Sequence, residues 1–570
     1  MSDKKYFKYL YNCSIFELED FLDKDIREEL VRWTNNAETK FSKEKTINLI
    51  DSIYGNSLFE NKKFRSILIN HLPKEDLLKI STEFEINTKN NDLAEIAEKV
   101  SNKPWGKNDL SIYLSKLWGA DESIFEKENY DFETESEVSP SDKFFELLDY
   151  QFLIKQKTLH ILNSGNGQER LLIQMPTGTG KTKTAMHIIS NFIHFSLKNE
   201  GLVIWIANSK ELLEQAYETF CNVWKHLGNK SIKCYKIYES SQISKSLSEL
   251  NGVAFCGIQK LQSIFSKNEK LKEILCKDCR LIVFDEAHRV LANETKIVVN
   301  ELMKRSAGMA NRALIGLTAT PGRTTEETKE NKKLSVFFED KLIGIEPELL
   351  DTIEMGKNEK LNYSSETNII RYFQKRKVLS EIKTEKLVYK KEFSQKYIDN
   401  LAKETDCEDW SEKELQILAK DRNRNFAIIK KLEELNKDKI PTIVFACSVA
   451  HAKLLSAMLT MNEIQNVLVH GELKPSERKS AIDDFKDRNS NVNIIINYSV
   501  LTTGFDSTNI RCVMITRPTK SIILYCQMIG RGLRGPMMGG NSECLLVDVD
   551  DNIEAYDYQK AFSHFDNYWK

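Results

Sequence analysis

The sequence predicts an α/β protein: two tandem parallel-sheet domains, joined by a helical insert and preceded by an N-terminal helical domain. Three observations carry this. Near-continuous apolar runs alternate with helical patterns in two separate blocks, the texture of parallel sheets covered on both faces. A charged stretch with few strand signals lies between the blocks. Ahead of both, apolar positions recur three and four apart, as on amphipathic helices. At 570 residues the chain exceeds what one core supports, so about three or four domains are expected.

Taken in order, residues 1–120 read as short helices, such as Lys74 to Ile80 and Asp92 to Ala97, separated by Asn and Lys clusters. This accessory domain carries no chemical motif; a nucleic-acid module, a partner-docking module and a passive helical cap all fit it. Residues 121–140 hold Asp121, Glu122, Glu126, Glu128, Asp131, Glu133, Glu135 and Glu137 before Ser139-Pro140, a charge block expected as a solvated linker. Residues 141–340 form the first α/β domain, with strands expected at Leu171 to Gln174, Leu202 to Ala207, Val253 to Cys256, Leu281 to Phe284 and Ala313 to Leu317. Residues 341–435 are the helical insert. Residues 436–570 form the second α/β domain, with strands at Thr442 to Ala446, Val467 to His470, Asn493 to Asn497, Cys512 to Thr516 and Cys544 to Val549.

Composition is that of an ordinary soluble protein, 41% hydrophobic and 29% charged, and the net charge of -2 neither implies nor excludes a local basic groove. No apolar run approaches the ~20 residues that span a bilayer, and Met1-Ser2-Asp3-Lys4-Lys5 leads into no apolar signal region, so a cytoplasmic protein without membrane contact is expected. The 11 cysteines are odd in number and scattered, which suits reduced thiols. Cys276-Lys277-Asp278-Cys279 has metal-like spacing but no second pair, so ordinary thiols ahead of a buried strand are expected there.

The chemistry starts at Met175-Pro176-Thr177-Gly178-Thr179-Gly180-Lys181-Thr182. It follows a strand and opens a helix, the context of a phosphate-binding loop. Gly178 and Gly180 let backbone N–H groups turn toward phosphate oxygens, and the helix N-terminus adds positive potential. Lys181 reaches the β/γ-phosphates of ATP and the Thr182 hydroxyl binds Mg²⁺. The full loop pattern wants Gly where Met175 stands. About a hundred residues on, Asp285-Glu286-Ala287-His288 ends a buried strand, where α/β sheets place ligands. Asp285 shares the Mg²⁺ with Thr182, and Glu286 orients and deprotonates the attacking water. Thr318 and Thr320, at the exit of another strand, are placed to hydrogen-bond His288.

In the second block, Thr502-Thr503-Gly504-Phe505-Asp506 follows a strand; Gly504 permits a tight turn and the hydroxyls can hold phosphates. Gln527-Met528-Ile529-Gly530-Arg531-Gly532-Leu533-Arg534 supplies Gln527 and two arginines three apart, which on a helix share a face. Arg531 and Arg534, brought across an interface to a γ-phosphate, would stabilise transition-state charge. Some 350 residues separate them from Lys181, so hydrolysis would be tied to movement between two domains.

Together these strings resemble the superfamily-two helicases and translocases in their DEAH-box spelling, over about residues 145–570. The pattern is nearest the branch of XPB-like and RadD-like proteins and restriction-enzyme motor subunits. Its carriers are Asp149-Tyr150-Gln151, MPTGTGKT at 175–182, DEAH at 285–288, LTATPGR at 317–323, IVFACSVAHA at 443–452, VLTTGFD at 500–506 and RPTKSIILYCQMIGRGLRG at 517–535. The resemblance implies that both α/β domains are RecA-like and that Gln151 reads adenine. It implies that Pro176, Thr177, Gly178, Thr179 and Gly180 line the nucleotide with Lys181 and Thr182, and that Gly504, Asp506 and Gln527 bind nucleotide from the second domain. Asn208 to Leu212 and Gln259 resemble strand-tracking segments, and Ser448, His470, Thr502 and Thr503 are expected near the nucleic-acid path. The chain departs from RadD-like proteins in having only Cys544 after residue 527, and it shows no nuclease or methylase constellation.

The expectation is an ATP-dependent nucleic-acid motor on double-stranded DNA. It would act in DNA repair or antiviral defence, with a protein partner docked through the N-terminal domain and any nuclease on a separate chain. An ATP-controlled assembly switch that does not travel, and an RNA helicase, are the alternatives. Strand separation and pure translocation stay equally open.

Overall fold

The computed structural model describes residues 5–22, 24–36, 42–86, 88, 92–120, 125, 134–164, 168–197, 200–239, 241, 249–304, 312–321, 328–346, 369–390, 409–502, 504–505 and 507–549. Every apolar run expected as a strand is one. The first sheet has eight strands: β1 (Glu135–Val138), β2 (Gln168–Gln174), β3 (Leu202–Ala207), β4 (Ile232–Ile237), β5 (Gly252–Gly257), β6 (Cys279–Asp285), β7 (Arg312–Thr318) and β8 (Leu342–Ile343). Their order is β1-β4-β5-β3-β6-β7-β2-β8, parallel throughout except that β1 runs antiparallel to β4. β3 and β5 are buried along their whole length, as strands covered by helices on both faces must be.

The second sheet is parallel, in the order β11-β12-β10-β13-β14-β9, from β9 (Glu381–Leu387), β10 (Thr442–Phe445), β11 (Asn466–Val469), β12 (Ile494–Asn497), β13 (Cys512–Ile515) and β14 (Glu543–Val549). The two parallel-sheet domains are the tandem RecA-like pair that the sequence predicts.

Two expectations need correction. The segment 341–435 is not purely helical: β8 extends the first sheet and β9 forms the edge of the second. β9 reads Glu-Ile-Lys-Thr-Glu-Lys-Leu, with charge on an exposed edge in place of an apolar run, which is how edges resist mispairing. The acidic stretch 121–140 ends in β1, whose Val138 is buried against the first domain's core; residues 121–124 and 126–133 lie outside the described residues. β4 carries no continuous apolar run either, because Lys233 is exposed between buried Ile232 and Cys234.

The N-terminal residues form helices, among them Lys43–Tyr54, Lys62–Asn70, Lys74–Glu83, Leu93–Asn102 and Asp109–Trp118. Ser42, Asn61, Asp92 and Asn108 cap four of them by accepting backbone N–H groups. This domain does not stand alone. Its core (Ile47, Ile50, Phe59, Phe64, Trp118) is continuous with that of the second α/β domain through helix Val449–Met461. Each Ile or Leu buried there contributes about 1.5–3 kcal/mol. Lys45 pairs with Glu463 at 3.4 Å, and Lys474 with Glu60 at 2.6 Å, across the same junction.

Candidate functional site

The sheet brings the first-domain motifs together before any side chain is considered. β6, β7 and β2 are neighbours, with Asp285 in register with Leu317 and Thr318 in register with Gln174. The loop 175–180, the acidic pair and the threonine segment therefore emerge side by side at the carboxyl ends of adjacent strands, where open α/β sheets bind ligands.

The loop leads into helix Lys181–Asn191, whose first turn no side chain caps. Gly178 (φ +88°) and Gly180 (φ +81°) hold the left-handed backbone that other residues resist. A side chain at Gly180 would also collide with the Gln151 amide. Met175 needs no such freedom. Its φ is not positive, its side chain is fully buried, and its N–H donates to Thr318 O at 3.1 Å. The first loop position thus belongs to the sheet's core, which explains how Met replaces Gly there. The Thr179 hydroxyl donates to Pro176 O at 2.7 Å. The Tyr150 hydroxyl (2.8 Å) and the Gln151 amide (2.9 Å) both donate to Thr179 O, so this segment braces the loop from behind.

Glu286 sits at φ +53°, unusual for a residue with a side chain, and its N–H donates to Asp285 Oδ1 at 3.0 Å. His288 Nδ1 lies 3.4 Å from Glu286 Oε2. Burial, then the neighbouring Glu286, push the Asp285 carboxyl upward, while Lys181 pulls it back. Burial would raise Glu286 too. There Lys181, His288, Arg531 and Arg289 together outweigh it and hold the carboxyl below its ordinary value. Lys181 from the loop and Arg531 from the second domain thus converge on one carboxylate.

A buried carboxylate suits a hard divalent cation: Asp285, with the Thr182 hydroxyl, would hold Mg²⁺, relieving the cost of the buried charge. Among the described residues no cluster of three or more His, Cys, Asp or Glu could hold a metal alone. The Thr318 hydroxyl donates to Thr320 O at 2.8 Å and accepts Thr320 N–H at 3.1 Å, so it is used within its own segment.

Across the cleft, the arginines do not share a helical face. Helix Ile522–Ile529 ends before them; residues 530–532 form a turn, and Arg534 pairs with Leu379 in an isolated antiparallel bridge. Arg531 is buried, and its guanidinium donates to Thr502 O and Phe505 O, both at 2.6 Å. The helix gives way at Gly530, where a Cβ would stand 2.5 Å from the Thr177 side chain. Arg534 Cγ lies 3.8 Å from where a Cβ of Gly178 would be. The phosphate loop and the arginine loop therefore touch. Gln527 is 94% buried by its 6% exposure, and its Nε2 has no hydrogen-bond partner among the described residues, an orphaned donor suited to a ligand.

Gly504 packs on the first domain: a Cβ there would meet Glu211 Cβ at 3.0 Å and Leu212 N at 3.2 Å. Thr503 and Asp506 lie outside the described residues. Glu211 also pairs with Arg478 across the cleft at 2.6 Å. Ser209 and Ser448 cap helices Lys210–Leu227 and Val449–Met461. Gln259 Nε2 reaches Asn208 O at 3.5 Å. His470 is almost fully buried, and burial, reinforced by Lys453, pushes its imidazole down to about 4. Sequence reasoning missed Arg478 and the segment 369–380, which carry no motif.

Comparison with known proteins agrees with this geometry. Residues 144–323 match the family model "Type III restriction enzyme, res subunit", and residues 424–535 match "Helicase conserved C-terminal domain". The chain is 28% identical over 388 residues to the putative mitochondrial ATP-dependent helicase irc3 of Schizosaccharomyces pombe, covering 68% of this chain and 55% of that protein. It is 28% identical over 399 residues to putative helicase 22 of Sulfolobus islandicus filamentous virus, covering 69% and 62%. A shorter match, 30% over 209 residues, is to the putative ATP-dependent DNA helicase fml2 of S. pombe, covering 35% and 25%. The chain thus spans little more than half the length of the first two relatives.

Proposed function

The chain belongs to the superfamily-two helicases and translocases, and from that premise we propose that it is an ATP-driven motor on double-stranded DNA. The contact of the phosphate loop with the arginine loop, Thr177 against Gly530, carries the reading. One site built from two domains ties the state of the nucleotide to their separation.

In this reading Lys181 and the uncapped helix N-terminus hold the β- and γ-phosphates, and Gln151 reads adenine from behind the loop. Mg²⁺, held by Asp285 and Thr182, would neutralise phosphate charge. Glu286 takes the proton of the water whose oxygen bonds to the γ-phosphorus as the bond to the β-phosphate oxygen breaks. Arg531 and Arg534 meet the charge that moves onto the departing oxygens. ATP binding closes the cleft; hydrolysis and release reopen it, and alternating grip by the two domains gives steps along one strand.

DNA is favoured over RNA by the segment 517–535 and by relatives whose names specify DNA helicases. The match to a restriction-enzyme subunit model supports a place in defence against foreign DNA, beside a separate nuclease. The N-terminal domain, fixed to the second α/β domain, is the surface offered to a partner protein. No described helix is long and apolar enough to cross a membrane.

Single- and double-stranded DNA and RNA, compared as stimulators of ATP turnover, test the track. Duplex DNA is expected to stimulate at least about tenfold. The stimulation should fade steeply as salt rises, because a backbone-tracking protein releases counterions on binding. RNA outperforming every DNA would replace this reading with the RNA one.

A further inference from the structure

Segment 369–380 joins the two walls of the site. Its helix, Ile369–Lys375, packs on the first domain at Tyr150. There Arg376 Nη2 meets Asp149 Oδ2 at 2.6 Å, Arg376 Nη1 donates to the Tyr372 hydroxyl at 2.7 Å, and the Phe373 ring stands edge-on to Tyr150, 4.8 Å between centroids. Tyr150 in turn holds the phosphate loop through Thr179 O. Within the next four residues the same segment is sewn by its backbone into the arginine loop. Ser380 N–H donates to Leu533 O (2.9 Å), Gly535 N–H to Val378 O (2.9 Å) and Met537 N–H to Lys377 O (3.0 Å). The Ser380 hydroxyl lies 2.8 Å from Arg534 O and 2.7 Å from Asn541 O. Val378 and Leu379 are buried, and Leu379 pairs with Arg534.

The attachments differ in kind. Main-chain hydrogen bonds join the strap to the second domain, and β9 continues directly from it into the second sheet. To the first domain it is held by side chains: the Arg376–Asp149 ion pair, the Phe373–Tyr150 ring contact and the burial of Ile370, Tyr372 and Phe373 in the shared core, contacts that can part when the cleft opens. We propose that residues 369–380 are a strap that seats the arginine loop, with Arg376 as a positioning residue: by gripping Asp149 it sets Arg534 over the phosphate loop. Adenine recognition and γ-phosphate chemistry would then share one rigid piece, so that hydrolysis depends on a contact at the far end of the nucleotide. The inference rests on the ATP-site reading given above.

Steady-state ATP turnover by the full chain tests it. Arg376→Ala is expected to lower kcat by about 10²-fold, the cost of a catalytic group displaced by an ångström, with KM changed less than about threefold. The discriminating variant is the double one. If Arg376 acts through Arg534, then Arg376→Ala/Arg534→Ala turns over no more slowly than Arg534→Ala alone. Multiplying losses, or an Arg376→Ala effect confined to KM, would overturn the proposal. Asp149→Asn keeps the side chain's shape and carries the same comparison should Arg376→Ala fail to fold. Lys181→Ala is the control: if it still hydrolyses ATP, the site reading itself is wrong. If it is inactive while the other losses multiply, only the strap is.

Discussion

Glu286→Gln is expected to abolish ATP turnover while leaving ATP bound. The substitution keeps the size and planarity of the side chain and removes only its capacity to take a proton. A general base contributes about 10²–10⁴-fold, so turnover should fall by at least about 10². Glu286 is assigned as the base by position, directly after Asp285 at the carboxyl end of β6. Burial alone would favour the neutral acid, yet Lys181, His288, Arg531 and Arg289 hold the carboxyl below its ordinary value, which keeps it unprotonated while making it a weaker base than a free glutamate. Asp285, next to it, is pushed the other way and suits a cation. Phosphate release measured beside binding of a fluorescent ATP analogue separates the two effects. Near-normal release by Glu286→Gln would move the base elsewhere, and lost binding would make the residue structural.

Arg534→Ala and Arg531→Ala should both cripple hydrolysis, but by different routes. Arg534 approaches the phosphate loop at Gly178. An arginine delivered to a γ-phosphate is worth about 10³–10⁵ in kcat, so Arg534→Ala should lose about 10³-fold with the fold intact. Arg531 is buried, and its guanidinium also ties Thr502 O and Phe505 O together. Its removal strands two buried carbonyls, at about 1.5–3 kcal/mol for each hydrogen bond to a charged group. Arg531→Ala should therefore lower thermal stability along with kcat. Thermal unfolding of both variants beside their kinetics checks the division; equal stability would mean that Arg531 does not brace Thr502 and Phe505.

Much of this site is legible in the sequence because parallel sheets write their burial as apolar runs and because phosphate chemistry demands particular residues at strand ends. MPTGTGKT and DEAH stand at the ends of β2 and β6, on either side of β7. What stayed hidden lacks either signal. β9 is a charged edge strand, and β4 breaks its apolar run with Lys233, so neither has a run to find. The arginines were expected on one helical face because a spacing of three is ambiguous. Gly530 ends the helix where the arginine loop must approach Thr177, a tertiary demand that local pattern cannot show. Arg376 meets Asp149 across 227 positions, and although Asp149 stands in a motif, nothing local marks Arg376 as its partner.

The central claim is that one ATP site shared by two domains drives movement along DNA. Its most direct measurement is ATP-dependent displacement of a triplex-forming strand from a duplex that also carries a forked end. The account predicts that the wild-type chain releases the third strand or opens the fork, and that Glu286→Gln does neither. Robust DNA-stimulated ATP turnover with both strands left in place would contradict it and favour a nucleotide-controlled switch that does not travel.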